Sequence, residues 1–154
     1  MNIILASASP RRAQLLKQVK LDFTVAVSDI DEAQLESETA IDYVQRMARQ
    51  KALVGQANNP GDCAIIGADT IVCLDQKVLP KPSNKAEACA SLMMLSGRTH
   101  SVYTALSVLS SRHKLQAISA TSVDFRDISP AEAEAYWNSG EPLDKAGGYA
   151  IQGC

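Results

Sequence analysis

The sequence predicts a mixed α/β fold in one chain, and three features of the pattern carry that expectation. Short apolar or β-branched runs alternate with segments whose apolar residues recur every three to four positions; clear turn residues separate the two kinds; and no repeat, low-complexity tract or Pro/Gly/Ser-rich linker interrupts them. Residues 2–6 form an apolar run ending in Ser7, Ala8, Ser9 and Pro10, the pattern of a buried strand feeding a helix, with Ser9 as N-cap and Pro10 as first helical residue. Leu15, Leu16 and Val19 mark the apolar face of that helix, and Phe23, Val25 and Val27 alternate as a strand does. Thr39, with Asp42 three residues on, opens a longer helix reaching about Ala57, with Ile41, Val44, Met47, Ala48 and Ala52 on its apolar face. Asn58, Asn59, Pro60 and Gly61 make a turn. Cys63–Leu74 then reads as an apolar strand interrupted at Gly67, Ala68, Asp69 and Thr70.

Ser83 is expected to cap the next helix, whose stripe of Ala86, Cys89, Ala90, Met93 and Met94 fills a core and stops at Gly97. Residues 99–111 and 116–125 are rich in β-branched side chains and form an antiparallel pair about a polar turn at 112–114. Ser129, Pro130, Ala131 and Glu132 make a capping box for a last helix that ends near Gly140.

A chain of 154 residues fits one domain or two small lobes, and 46% hydrophobic residues supply a core, which excludes general disorder. With 15 Lys and Arg against 17 Asp and Glu there is no basic excess for non-specific nucleic-acid or acidic-membrane binding, so neither partner is expected. Cys63, Cys73, Cys89 and Cys154 lie far apart, without a Cys-x-x-Cys or a His-plus-Cys cluster, which points to reduced thiols rather than zinc or disulfides. The N-terminal apolar run is too short for a signal peptide, and no stretch approaches about 20 apolar residues, so a soluble cytoplasmic protein is expected.

Six places could carry chemistry. Ser7, Ser9, Arg11 and Arg12 at a strand-to-helix junction combine hydroxyls, guanidiniums and the positive end of a helix, a set suited to phosphate, although a capped helix with two solvated arginines has the same spelling. Asp69 places a carboxylate in an apolar strand, which is costly unless it is paired or bound to a cation, and the nearby Gly67 would let a ligand or another backbone approach. Lys51, seven residues after Val44, falls on the apolar helix face and either snorkels or points into a cleft. Lys81 lies between two prolines, Asp29, Asp31 and Glu32 could help hold a hard cation, and Gln152 among Gly147, Gly148 and Gly153 could read a base edge; each also has a plain reading as solvated surface. With only His100 and His113, an oxygen-bound cation fits better than zinc. Together the set suggests metal-assisted hydrolysis of a polyphosphate.

LASASPRRAQLL, the Lys51 helix, IIGADTIV, LPKPSNKAEA with LSGRTHSVYTAL, and EPLDKAGGYAIQG resemble, in order and spacing, the Maf-type nucleoside triphosphate pyrophosphatases across essentially the whole chain. The resemblance implies a Maf/inosine-triphosphatase-like α/β fold, an extended mixed sheet flanked by helices with a cleft between two lobes. It also implies hydrolysis of a nucleoside triphosphate to the monophosphate and pyrophosphate, a divalent cation (Mg²⁺ or Mn²⁺), a cytoplasmic homodimer and a role in nucleotide-pool sanitation. By motif, Ser7, Arg11 and Arg12 match the phosphate-binding start; Glu32, Lys51 and Lys81 match charged cleft residues; Asp69 matches the proton acceptor and, with Glu32, the metal site. Arg11 after Pro10, Thr70 after Asp69, and Gln152 resemble the branch preferring dTTP and UTP. Family members continue past the counterpart of Gln152 with a further strand and helix, so the expectation is a single Maf-like domain, 1–154, shortened at its C-terminal side, with exposed apolar surface. Two alternatives stand: a pyrophosphatase for another modified nucleotide, and an impaired nucleotide-binding regulator, for instance of cell division.

Overall fold

A computed structural model describes residues 2–151. The elements run β1 (Asn2–Leu5), α1 (Pro10–Gln18), β2 (Thr24–Val25), α2 (Ala40–Asn58), β3 (Cys63–Leu74), β4 (Lys77–Leu79), α3 (Lys85–Leu95), β5 (Thr99–Leu109), β6 (Lys114–Asp124) and α4 (Pro130–Asn138), followed by a single turn at Ala146–Gly148. The strand order is β2-β1-β3-β5-β6, with β4 also paired to β3. The sheet is mixed: β1 runs parallel to β2 and β3, with Leu5 opposite Val25 and Ile66, whereas β4 is antiparallel to β3, with Val72 opposite Leu79. β5 and β6 form the expected hairpin. Ser110 N–H donates to the His113 carbonyl at the turn, and Phe125 N–H donates to the Arg98 carbonyl at the open end.

The chain divides into two compact units, Met1–Asp69 with Thr104–Ser119, and Thr70–Tyr103 with Ala120–Cys154. The core of the first gathers Ile4, Ala6, Ala52, Cys63, Ile65 and Leu109. That of the second gathers Val72, Leu74, Leu79 and Leu95, with Val102, Phe125 and Tyr149 packed against it.

Local capping chemistry places two helix starts where the sequence expects them. Thr39 Oγ1 accepts from Asp42 N–H, and Ser129 and Glu132 complete the reciprocal capping box. Five expectations need correction. Ser9 occupies the N-cap of α1 but its side chain makes no capping bond, and α1 buries none of Leu15, Leu16 and Val19, with Val19 64% exposed; this short polar helix is held through Arg12 rather than through an apolar face. β2 keeps only two residues because it is the sheet's edge and pairs with β1 alone, which leaves Val25 and Val27 exposed. The cap of α3 is Asn84, not Ser83; Ser83 instead bonds Glu87. The buried face of α3 is Ala88, Ser91, Leu92 and Leu95, while Met93 and Met94 are exposed. β3, finally, runs through Gly67–Thr70 without a break.

Candidate active site

The first unit concentrates its buried charge where α2 crosses β3. Gly67 makes the crossing possible: a Cβ there would stand 2.3 Å from the Ala48 carbonyl oxygen and 2.6 Å from Ala52 nitrogen. The glycine therefore admits a backbone, that of α2. This close approach sets Lys51, one residue before Ala52, against Asp69, two residues after Gly67.

Lys51 is only 8% exposed and Asp69 7%. A lone ionised group at that depth would be strongly disfavoured, so each requires a partner. Lys51 Nζ donates to Asp69 Oδ1 at 2.7 Å and lies 2.7 Å from Glu32 Oε1, so one ammonium is shared by two carboxylates. The lysine on the apolar face of α2 is thus neither snorkelling nor solvated; it is the counter-ion of the strand carboxylate.

Arg12 enters from α1. Its Nη1 donates to Ser7 Oγ at 3.0 Å and to the Ala68 carbonyl at 2.9 Å, and Ser7 Oγ also accepts Ser9 N–H. The guanidinium is therefore fastened to β3 one residue from Asp69. Burial pushes its pKa down, the neighbouring Arg11 adds to that, and the carboxylates of Asp69 and Glu32 oppose it. An arginine keeps its charge through such shifts, so the site holds fixed positive charge beside its acids. Burial, then Asp69 and Glu32, likewise raises the pKa of Tyr43 on α2.

Ser7, Arg12, Glu32, Lys51 and Asp69 are therefore one cluster, with Arg11 exposed beside Arg12. Asp31 is used locally, accepting Ala33 N–H in its own loop. Thr70 follows Asp69 on β3 but belongs to the second unit, as does Lys81, which lies exposed between Pro80 and the buried Pro82. Gln152 lies outside the described residues. Among the described residues no three His, Cys, Asp or Glu side chains gather as a metal cluster. Sequence reasoning missed the Ala68 carbonyl, which has no residue-type signal, and Tyr43, whose hydroxyl donates to the Glu32 carbonyl at 2.7 Å.

In the second unit, the Ala146–Gly148 turn is set by glycines at φ of +65° and +73°, and a Cβ on Gly147 would meet the Val72 side chain at 2.9 Å. Tyr149 then packs edge-on against Phe125 and hydrogen-bonds His100 Nε2 at 2.5 Å. Burial holds the His100 pKa below its ordinary value and pushes that of Tyr149 up to about 12.

Residues 2–154 match the family model described as "Maf-like protein". A Myxococcus xanthus (strain DK1622) protein named dTTP/UTP pyrophosphatase is 50% identical over 151 residues, 98% of this chain and 76% of the relative. A protein of the same name from Alcanivorax borkumensis is 48% identical over 154 residues, 99% of this chain and 80% of the relative, and one from Vibrio parahaemolyticus is 44% identical, with 99% and 81% covered. Among solved structures, the Ham1 protein of Staphylococcus aureus aligns over 80% of this chain and 71% of its own at a TM-score of 0.57 and 12% identity. A HAM1 protein of Coxiella burnetii aligns over 80% and 72% at 0.53 and 15%. At those identities the likeness is one of fold.

Proposed function

The chain belongs to the Maf family, and from that premise we propose that it is a nucleoside triphosphate pyrophosphatase that hydrolyses dTTP and UTP to the monophosphate and pyrophosphate. The observation that carries the reading is the buried Asp69–Lys51 pair, joined by the exposed Glu32, beside the Ser7–Arg12 junction: acids, an ammonium and a guanidinium on one small surface. The relatives named above carry the same activity in their names.

Hydrolysis of the α–β anhydride adds water across one P–O bond, and the transition state carries its charge on phosphate oxygens, so positioning and neutralisation do most of the work. Arg12, with Arg11 and the start of α1, binds phosphate oxygens; Nη1 already spans Ser7 and Ala68, which fixes the guanidinium plane before substrate arrives. Asp69 accepts the proton of the attacking water. Lys51 holds one of its oxygens, Oδ1, and so fixes the direction of the other. The Lys51 ammonium supplies further positive charge, and Lys81 is assigned the departing pyrophosphate.

Glu32 and Asp69, the two carboxylates that share the Lys51 ammonium, are hard oxygen donors of the kind that hold Mg²⁺ or Mn²⁺ together with substrate phosphates. Such a cation, held by Glu32 and Asp69, would supply neutralisation on the phosphates when bound. Thr70 and Gln152 are assigned to base choice: a side-chain amide that pairs with a pyrimidine edge leaves buried polar groups unpaired with the wrong base. The protein acts in the cytoplasm, as a homodimer.

Pyrophosphate release from dTTP, UTP, CTP, dATP, GTP and 7-methyl-GTP with Mg²⁺ or Mn²⁺ tests this reading. Release confined to dTTP and UTP is expected; release from 7-methyl-GTP alone would overturn the pyrimidine preference. Nucleotide binding without release would leave a binding module.

A further inference from the structure

Glu32 lies in residues 26–39, a segment between β2 and α2 without regular secondary structure. A carboxylate on an unrestrained segment would sample many directions, yet this one meets Lys51 at 2.7 Å. The segment is gripped by α2. Tyr43 Oη donates to the carbonyl of Glu32 itself at 2.7 Å, and Arg46 Nη2 donates to the carbonyl of the next residue, Ala33, at 2.8 Å. Arg46 also forks onto Glu38, Nε to Oε1 at 2.6 Å and Nη2 to Oε2 at 2.8 Å, and Glu38 Oε2 in turn accepts Leu35 N–H. Tyr43 and Arg46 share a helix face, the guanidinium 5.6 Å from the ring centroid. Two successive carbonyls are thereby fixed to the helix that also carries Lys51.

We propose that Tyr43 and Arg46 are positioning residues that clamp the backbone at Glu32 and Ala33 to α2 and so aim the Glu32 carboxylate at Lys51 and Asp69. The inference deepens the pyrophosphatase reading and rests on it. The hydrogen bond from Arg46 holds the Glu38 carboxyl below its ordinary range, so the clamp stays charged through neutral pH. A lysine at 46 would keep the charge and lose the fork.

The test is a double-mutant cycle. Tyr43→Phe, Arg46→Lys and Arg46→Met are made in the native chain and in a Glu32→Gln chain, with kcat and KM for dTTP, thermal midpoint and amide exchange of residues 30–38 as readouts. Arg46→Met is expected to lower kcat about 10- to 100-fold, Arg46→Lys to recover part of it, and Tyr43→Phe to cost a few fold. In the Glu32→Gln chain the same changes should cost nothing more, because there is no carboxylate left to aim. Losses that multiply in both backgrounds would overturn the proposal, since a merely structural role acts regardless of Glu32. Exchange should rise about tenfold or more over 30–38 and stay unchanged in β3; acceleration throughout the unit would also overturn it. A native chain that releases no pyrophosphate overturns the pyrophosphatase reading instead, and the exchange measurement then decides the clamp alone.

Discussion

The two units bury polar groups by opposite means. The first places full charges at depth, Lys51, Asp69 and Arg12, and satisfies each with a partner on another element. The second buries a histidine against a half-buried tyrosine and keeps the pair neutral: His100 Nε2 meets the Tyr149 hydroxyl, Phe125 packs on both rings, and desolvation disfavours ionisation of each. A paired buried charge contributes little net stability and a great deal of local field, whereas a neutral hydrogen-bonded pair among apolar groups contributes packing and order. The contrast is between a cluster of paired charges in one unit and a neutral hydrogen-bonded pair in the other.

Removing one partner should break the first arrangement most. Lys51→Met leaves Asp69 buried without its ammonium and should cost about 3–5 kcal/mol in a denaturant titration, with part of the loss recovered when Asp69→Asn is added. Equal losses in the single and double variants would show that packing, not charge, dominates there. Gly67→Ala should follow at about 3 kcal/mol, because its Cβ overlaps backbone atoms of α2 that cannot swing aside. A soluble variant with an unchanged melting temperature would place α2 farther from β3 than described.

In the second unit the effects are smaller and depend on pH. The folded-state pKa of His100 lies below the unfolded value, so its contribution is complete above about pH 6.5 and declines as the pH falls through the folded value. The unfolding midpoint should therefore drop between pH 7 and 5, and less steeply in His100→Asn. Tyr149→Phe should cost about 1 kcal/mol at neutral pH. An effect of similar size is local: Ser129→Ala should cost about 1 kcal/mol through the α4 cap. Backbone and side-chain bonds from Ser129, with Arg126, hold the Glu132 pKa down to about 2, so the native cap should persist above the ordinary glutamate range and fail only as pH approaches that value, as amide exchange in α4 would report.

Much of the first unit was legible because its oddities stand against a clean background. A carboxylate in CAIIGADTIVCL and a lysine on the face of Val44, Met47 and Ala48 each break an apolar pattern, and the structure explains each by the other. Thr39 and Ser129 were legible because capping is decided within four residues. The α3 face was not: in KAEACASLMML apolar residues fall on nearly every side, so spacing does not separate the exposed Met93 and Met94 from the buried Leu92 and Leu95. Nor could spacing show that α1 is tied by Arg12 to a carbonyl 56 residues away, or that Gly67 is where a helix backbone passes. Those are facts of tertiary approach.

Asp69, held by Lys51 beside Arg12, is the proposed proton acceptor, and single-turnover pyrophosphate release from dTTP by the native chain and Asp69→Asn reads that role. The substitution keeps the shape and removes the proton acceptor, so release should fall by about 10²–10⁴ while dTTP remains bound through the Ser7–Arg12 junction. Release from Asp69→Asn within a few fold of the native chain would exclude Asp69 as the proton acceptor.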